Sequence, residues 1–311
     1  MTGLVTIFGA SGFVGRYVVQ ALAKTGVRIR AVTRDPHNAQ FLKPLTELGQ
    51  LGYARARLDD ADSVRAACEG ATGVVNLIGI LDGSTAEFEA VQRDGARTIA
   101  EAAAAVGAGA MVQMSAIGAD PDAEPDYART KGEGEDAVRT AFPGATILRP
   151  SIIFGPEDDF LNRFAALMRL APAMPVVAPG ARFQPVYVVD LAEAVAAAIV
   201  DPGTHGGKTY EIGGPDVVTM RELYRFIAKA IGRNIGMPEV PDPIAGTLAR
   251  TFGWMPGAPM THDQWLMLQK PNVVGGENGL DAFDISPTPM AAVAPNWLVR
   301  YRRQGRFTKM A

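Results

Sequence analysis

Residues 3–15, "GLVTIFGASGFVG", constrain this chain more than any other stretch. A short apolar, β-branched run ends in glycines at positions 9, 12 and 15, and "RYVVQALAKTG" continues with helical periodicity to Gly26. A strand, a glycine turn and a helix in that order form one half of a crossover unit. The spacing G-x-x-G-x-x-G is a variant of the dinucleotide fingerprint. One glycine permits the tight turn, one lets the backbone approach a pyrophosphate, and one lets the helix pack close to the strand. The helix N-terminus then offers free N–H groups and the positive end of its dipole to phosphates. Glycines at this spacing occur in bare turns too, but the flanking strand and amphipathic helix make a nucleotide site. Gly9, Ser11, Gly12, Phe13, Val14, Gly15 and Arg16 are expected to line it.

The alternation continues. "VRIRAVTR" reads as a strand, "PHNAQFLKPLTELG" as a looser helix, "GYARARLDD" as a third strand and "DADSVRAACEGA" as a helix with acids at its front. "GVVNLIGIL" is an apolar run that suits a strand buried on both faces, "FEAVQRDGARTIAEAAAAVG" is the longest helical stretch, and "AGAMVQMSAIG" is strand-like again. Strand–helix alternation predicts an α/β fold, a Rossmann-type doubly wound parallel sheet with right-handed crossovers. After Pro150 proline and glycine become frequent, as in "LAPAMPVVAPGARFQPVY". This predicts a nucleotide-binding domain over 1–150, to which 181–212 return, and a smaller C-terminal lobe over 151–311 with a basic tail. Within the return segment, "PVYVVDLAEAVAAAIVDP" reads as one more strand and helix of the sheet.

Cofactor choice is set where the second strand ends. An acid there accepts from the ribose 2′-OH and repels a 2′-phosphate, whereas a cation welcomes the phosphate. Here the strand ends on Thr33-Arg34, about twenty residues beyond the glycine turn. A guanidinium pairs well with a phosphate dianion. Arg34, with Arg16, favours NADP(H); Asp35 beside it keeps NAD(H) open.

The 311 residues carry a net charge of −3, so no global positive field draws the chain to nucleic acid. The single cysteine, Cys68, allows no intramolecular disulfide. No basic leader and no apolar run of about 20 residues appears, so neither a secretory signal nor a membrane span is expected. His37, His205 and His262 lie far apart without metal-ligand spacing, and no metal site is expected. "EDD" at 157–159 reads as a solvated loop or helix start rather than a cation site.

Several collinear segments resemble the extended and atypical short-chain dehydrogenase/reductase superfamily: "GASGFVGR", "NLIG" at 76–79, "YARTK" at 127–131, "ILRPSIIFGPED" at 147–158 and "PVYVVDLAEAV" at 185–195. A narrower resemblance spans nearly the whole chain. "LTELGQLGYARARLDDADSV", "GEDAVRTAFPGATILRPSIIFGPEDDFLNRFA", "WMPGAPMTHDQWLMLQKPNVV" and "LDAFDISPTPMAAVAPNWLVRYRR" look like the short-chain-dehydrogenase-like accessory subunit family of respiratory complex I, in a bacterial form. That resemblance implies a tightly held NADPH, a peripheral place among other complex I subunits on the cytoplasmic, inner face of the membrane, and no established turnover. It also adds Leu77, Ile78, Gly79, Ser115, Tyr127, Lys131, Pro150 and Ile153 to the expected cofactor contacts.

In active members of the superfamily the tyrosine is the general acid/base, the lysine holds the nicotinamide ribose, and a Ser or Thr orients the substrate oxygen. Tyr127 and Lys131 share a helix face at i and i+4. The extended pattern places two hydroxyl residues together after the fifth strand, but here the pair is Ser115-Ala116. Three readings therefore stand: a cofactor clamp, full catalysis, or a surface Tyr and Lys without a role. The expectation is a clamp, with no catalytic residue assigned. The adenine-side acid of the pattern falls on Arg57 or Asp59 according to register. "NWLVRYRRQGRFTKM" at 296–310 carries five cations and no acid. It reads either as a solvated tail or as a docking element for an acidic partner or anionic lipid heads.

Overall fold

The computed structural model describes residues 3–253, 255, 260–303 and 305. The chain divides into two compact units, one formed by 1–150, 188–212 and 276–286, the other by 151–187, 213–275 and 287–311.

The first unit is built on a seven-stranded sheet. Its strands are β1 (Leu4–Phe8), β2 (Arg28–Thr33), β3 (Leu51–Arg55), β4 (Gly73–Asn76), β5 (Ala110–Met114), β6 (Thr146–Pro150) and a final strand, Thr209–Ile212. Their spatial order is Thr209–Ile212, β6, β5, β4, β1, β2, β3, and every neighbouring pair is parallel. The order reverses between β1 and β4, which is where open parallel sheets place ligands, beyond the strands' carboxyl ends. β4 and β5 are buried at every position, as a sheet covered on both faces requires.

Helices α1 (Phe13–Ala23), α2 (Ala61–Cys68), α3 (Thr85–Phe88), α4 (Gly95–Ala105) and α5 (Asp126–Ala141) cover the sheet, together with Val188–Val200. The looser helix is a 3-10 stretch, Pro36–Leu45, with Pro44 inside it. A π-helical stretch, Glu89–Asp94, joins α3 to α4, so the long helical run of the sequence is continuous but widened in its middle. Small residues let these helices approach: Ala96, Ala100 and Ala103 of α4 pack with Val64, Val74 and Met111 in one buried cluster.

The expected return segment behaves in two ways. Residues 188–212 join the first unit, with the helix Val188–Val200 packed on α1 and the sheet. Residues 181–187 stay with the second unit, where Val186–Tyr187 pairs with Ile153–Phe154 rather than adding to the large sheet. The strand that completes the sheet is Thr209–Ile212, and the 3-10 turn Gly279–Phe283 packs against it.

The second unit gathers Phe154, Leu161, Met168, Tyr224, Ile227, Trp297 and Leu298 into its own core. Asp158 caps the helix Asp159–Leu170, accepting from Leu161 N and Asn162 N at 2.5 and 3.3 Å, so "EDD" is a helix start. The basic tail is not a solvated strand of charge over its described part. Trp297 and Leu298 are buried, Arg300 Nη2 donates to Pro156 O, and Arg302 Nε donates to Ala230 O. Residues 304 and 306–311 of that stretch lie outside the described residues.

Candidate nucleotide site

The glycine turn sits at the carboxyl end of β1. Gly9 has φ +82°, a conformation that side chains rarely adopt, and its N-terminal position in the turn fixes the chain reversal. Gly12 is the N-cap residue of α1, and its N–H donates to Gly9 O at 3.0 Å. A Cβ on Gly15 would come within 2.5 Å of Ala10 O, so α1 packs against the turn only because Gly15 has no side chain. Ser11, Phe13 and Val14 are partly exposed around the α1 N-terminus, and no acidic residue occupies its first turn. A cradle kept open by missing Cβ atoms, before a helix end with free N–H groups, fits a dinucleotide pyrophosphate. Arg16 Cζ lies 5.0 Å from the centre of the Phe41 ring, a cation–π distance.

At the end of β2, Arg34 is exposed and makes no ion pair among the described residues. Asp35 is engaged otherwise. It caps the 3-10 stretch, its carboxylate accepting from His37 N at 3.0 Å and Asn38 Nδ2 at 2.8 Å. Beyond β3, Arg57 and Asp59 bind each other in a bidentate pair of 2.9 and 2.7 Å at the surface, so the two alternatives for an adenine contact are partners.

Leu77, Ile78 and Gly79 follow β4 directly. Leu77 N donates to Phe8 O at 3.0 Å, which ties this loop to the end of β1 beside the glycine turn. Buried Asn76 fixes its start: Oδ1 accepts from Ile78 N at 3.0 Å, while Nδ2 donates to Gln113 Oε1 at 2.9 Å. A Cβ on Gly79 would stand 3.0 Å from Lys131 Nζ, so this glycine makes room for the lysine.

Tyr127 and Lys131 project from the same face of α5. Lys131 is only 6% exposed, and Nζ donates to Met114 O at 3.3 Å and lies 6.0 Å from the centre of the Tyr127 ring. Burial pulls its ammonium down to about 8, and the nearby Glu135 carboxylate offsets part of that loss. Burial pushes the Tyr127 phenol the other way, up to about 12. Phe88 meets Tyr127 edge to face with ring centres 6.2 Å apart.

Ser115 is drawn elsewhere. Its Oγ donates to Glu135 Oε1 at 2.5 Å, and both side chains are buried. Glu135 also receives Arg149 Nε and Nη2, each at 2.7 Å, and Arg139 Nη2 at 2.8 Å. The fork from Arg149 is the bidentate geometry of a guanidinium on a carboxyl group. The residue that follows Ser115 is Ala116, so neither position after β5 offers a free hydroxyl beside Tyr127.

Pro150 closes β6 and its carbonyl accepts from Ile117 N at 3.0 Å. Ile153 belongs to the second unit, in the pair with Val186. The turn, the 77–79 loop, Ser115, Tyr127, Lys131 and Pro150 therefore all belong to the first unit, at or just beyond strand carboxyl ends, as does Arg34. Glu135 and Arg149 are the residues that sequence reasoning missed. An arginine inside the apolar strand "TILRP" was the available signal, since a guanidinium in a buried strand needs an acid.

Residues 9–159 match the model of a family described as NAD(P)H-binding. The mitochondrial NADH dehydrogenase (ubiquinone) 1 alpha subcomplex subunit 9 of Arabidopsis thaliana is 34% identical, over 98% of this chain and 80% of that protein. The chain belongs to this family of complex I subunits. Within reach of the family stands a ceramide reductase of Caulobacter vibrioides, 34% identical over 83% of this chain and 80% of that protein. Among solved structures, the NADPH-dependent quinone oxidoreductase of Escherichia coli complexed with NADPH superposes with a TM-score of 0.77 at 21% identity, covering 94% of this chain and 99% of that one. Family and fold agree on a Rossmann-type, nicotinamide-nucleotide-binding domain, as the glycine turn and sheet order lead one to expect. Among the described residues no helix is long and apolar enough to cross a membrane.

Proposed function

We propose that this chain is an accessory subunit of a respiratory NADH:quinone oxidoreductase that holds NADP(H) as a structural or redox-sensing group and does not turn it over. The carrying observation is the lock on Ser115. Its hydroxyl is bound to the buried Glu135 side chain, which two guanidiniums also hold, and Ala116 supplies none. Tyr127 and Lys131 are then left to grip the nicotinamide ribose. A phenol pushed up to about 12 is far from the working range of a general acid/base, which supports a binding role over a catalytic one.

The preference for NADP(H) rests on the end of β2. Asp35, the residue able to discriminate against a 2′-phosphate, spends its carboxylate on a helix cap, and Arg34 beside it is exposed. Arg16 adds a second cation just past the glycine turn. Gly9, Ser11, Gly12, Phe13, Val14 and Gly15 would carry the pyrophosphate, Leu77, Ile78 and Gly79 the adjacent ribose, and Pro150 the nicotinamide side. Membership in the family supports other complex I subunits as partners and a peripheral place at the inner membrane face.

The Caulobacter relative named a ceramide reductase, together with the intact Tyr127–Lys131 pair, favours a second reading in which the chain reduces a carbonyl with NADPH. One experiment separates the two. NADPH and NADH are titrated by fluorescence, and NADPH oxidation is then followed against small carbonyls and ceramide-type lipids. Tighter binding of NADPH without turnover is expected. Equal affinities would remove the argument from Arg34, and steady oxidation with any of these substrates would replace the subunit reading by the reductase.

A further inference from the structure

In the second unit the helix Met220–Ala230 and the residues after it carry cations every fourth position: Arg221, Arg225, Lys229 and Arg233. The apolar face of this helix, with Leu223, Tyr224 and Ile227, is buried in the unit's core, so the cations share the outward side. Arg221 is neutralised by Glu239. Glu222, the neighbouring acid, is held by Thr219 in a capping box. Arg225, Lys229 and Arg233 are exposed and form no ion pair among the described residues. They converge on a cavity of about 480 Å³ that Ala228, Ile235 and Met237 help to line.

Two neighbours extend the feature. Arg302 Nε donates to Ala230 O at 2.8 Å, bringing a further cation to the end of the same helix. The wall carrying Ile235 and Met237 is fixed by Gly236 N to Pro172 O at 3.1 Å and Met174 N to Gly236 O at 2.8 Å. Just before Pro172 stand exposed Arg169 and Leu170, the latter 78% exposed. A concave site with exposed cations on its rim and apolar side chains in its lining matches an amphiphile with a phosphate head. Guanidiniums fork onto phosphate oxygens, and the lysine supplies a point charge. An acidic protein surface would call for cations alone, whereas here Ala228, Ile235 and Met237 stand among them.

We infer that this groove binds the phosphate headgroup of an anionic phospholipid and sets the second unit against a membrane surface. The site is separate from the glycine turn and does not depend on nucleotide binding or on the subunit reading. The test is sedimentation of the full chain with phosphatidylcholine vesicles, with and without phosphatidylglycerol, at fixed low salt. Arg225→Gln/Lys229→Gln/Arg233→Gln is compared with Lys24→Gln/Arg65→Gln/Lys208→Gln, which removes the same charge from the first unit, and circular dichroism checks folding. With three cations removed, the groove variant is expected to bind phosphatidylglycerol vesicles about a hundredfold more weakly. The control variant should bind like the unaltered chain. Equal binding by the groove variant, or no binding by the unaltered chain, would overturn the inference. So would capture by inorganic phosphate or by poly-glutamate without binding to vesicles, which would assign the groove to free phosphate or to an acidic protein.

Discussion

Burial holds the Lys131 ammonium at about 8, against an ordinary 10.5, because its hydrogen bond to Met114 O and the nearby Glu135 carboxylate replace only part of its hydration. Between about pH 8 and 10.5 the unfolded chain binds this proton more tightly than the folded one, so the nucleotide-free protein gains stability as pH rises through that window. The gain approaches about 1.4 kcal/mol per pH unit. Below about 8 the cost of burying the charge is fully present. Denaturant unfolding at pH 8 and pH 10 should show this rise in the unaltered chain and lose it in Lys131→Met; the same slope in both would refute the assignment. Tyr127→Phe should weaken nucleotide retention modestly, about fivefold, since one charge-neutral hydrogen bond is worth about 1 kcal/mol. Repeated gel filtration with the absorbance of bound NADPH reads this directly. Cys68, fully buried and with its thiol pushed up to about 11 by burial, should react with thiol reagents at pH 8 only as fast as the fold opens.

At the scale of elements, α1 and α5 bring the two ends of the site to the sheet by different means. α1 approaches because Gly15 has no side chain. Gly15→Ala should cost about 1–3 kcal/mol from overpacking and abolish nucleotide retention, as thermal unfolding and released-nucleotide assays would show. α5 is anchored by Glu135, and Glu135→Ala leaves Arg149 without its partner in a largely buried place. A loss of about 3–5 kcal/mol in denaturant unfolding is expected; a loss under about 1 kcal/mol would mean that the cluster does not hold the helix. These two anchors differ in legibility. The strand, turn and helix around Gly9–Gly15 are readable because their signals are local: glycine spacing, a β-branched run, a 3.6-residue period. The Glu135 cluster is not, because Ser115, Glu135, Arg139 and Arg149 meet only once β5, β6 and α5 have found their register. The sequence posed the question of the missing hydroxyl at Ser115-Ala116, and the fold answers it with a partner 20 residues away.

For the molecule as a whole, two units alternate along one chain, and the crossings show where pattern reading stops. The change of composition after Pro150 is visible because prolines and glycines accumulate. The rejoining of 276–286 is not, since "GENGLDAFDIS" has neither period, and it binds through single contacts such as Gly279 against Tyr210 and Glu211. Arg300 and Arg302 likewise read as solvated charges until their carbonyl partners, Pro156 O and Ala230 O, are in place. A nucleotide held only by the folded first unit stabilises it by mass action, about 2.7 kcal/mol when free nucleotide stands at a hundred times its dissociation constant. NADPH should therefore raise the unfolding temperature more than equimolar NADH does. The most direct test of the central claim is one purification: an affinity-tagged copy of this chain is recovered from membranes in mild detergent, and its protein partners and acid-released nucleotide are identified by mass spectrometry. The prediction is co-elution with complex I subunits and NADP(H) equimolar with the chain; recovery of the chain apart from complex I, or without bound nucleotide, would contradict it.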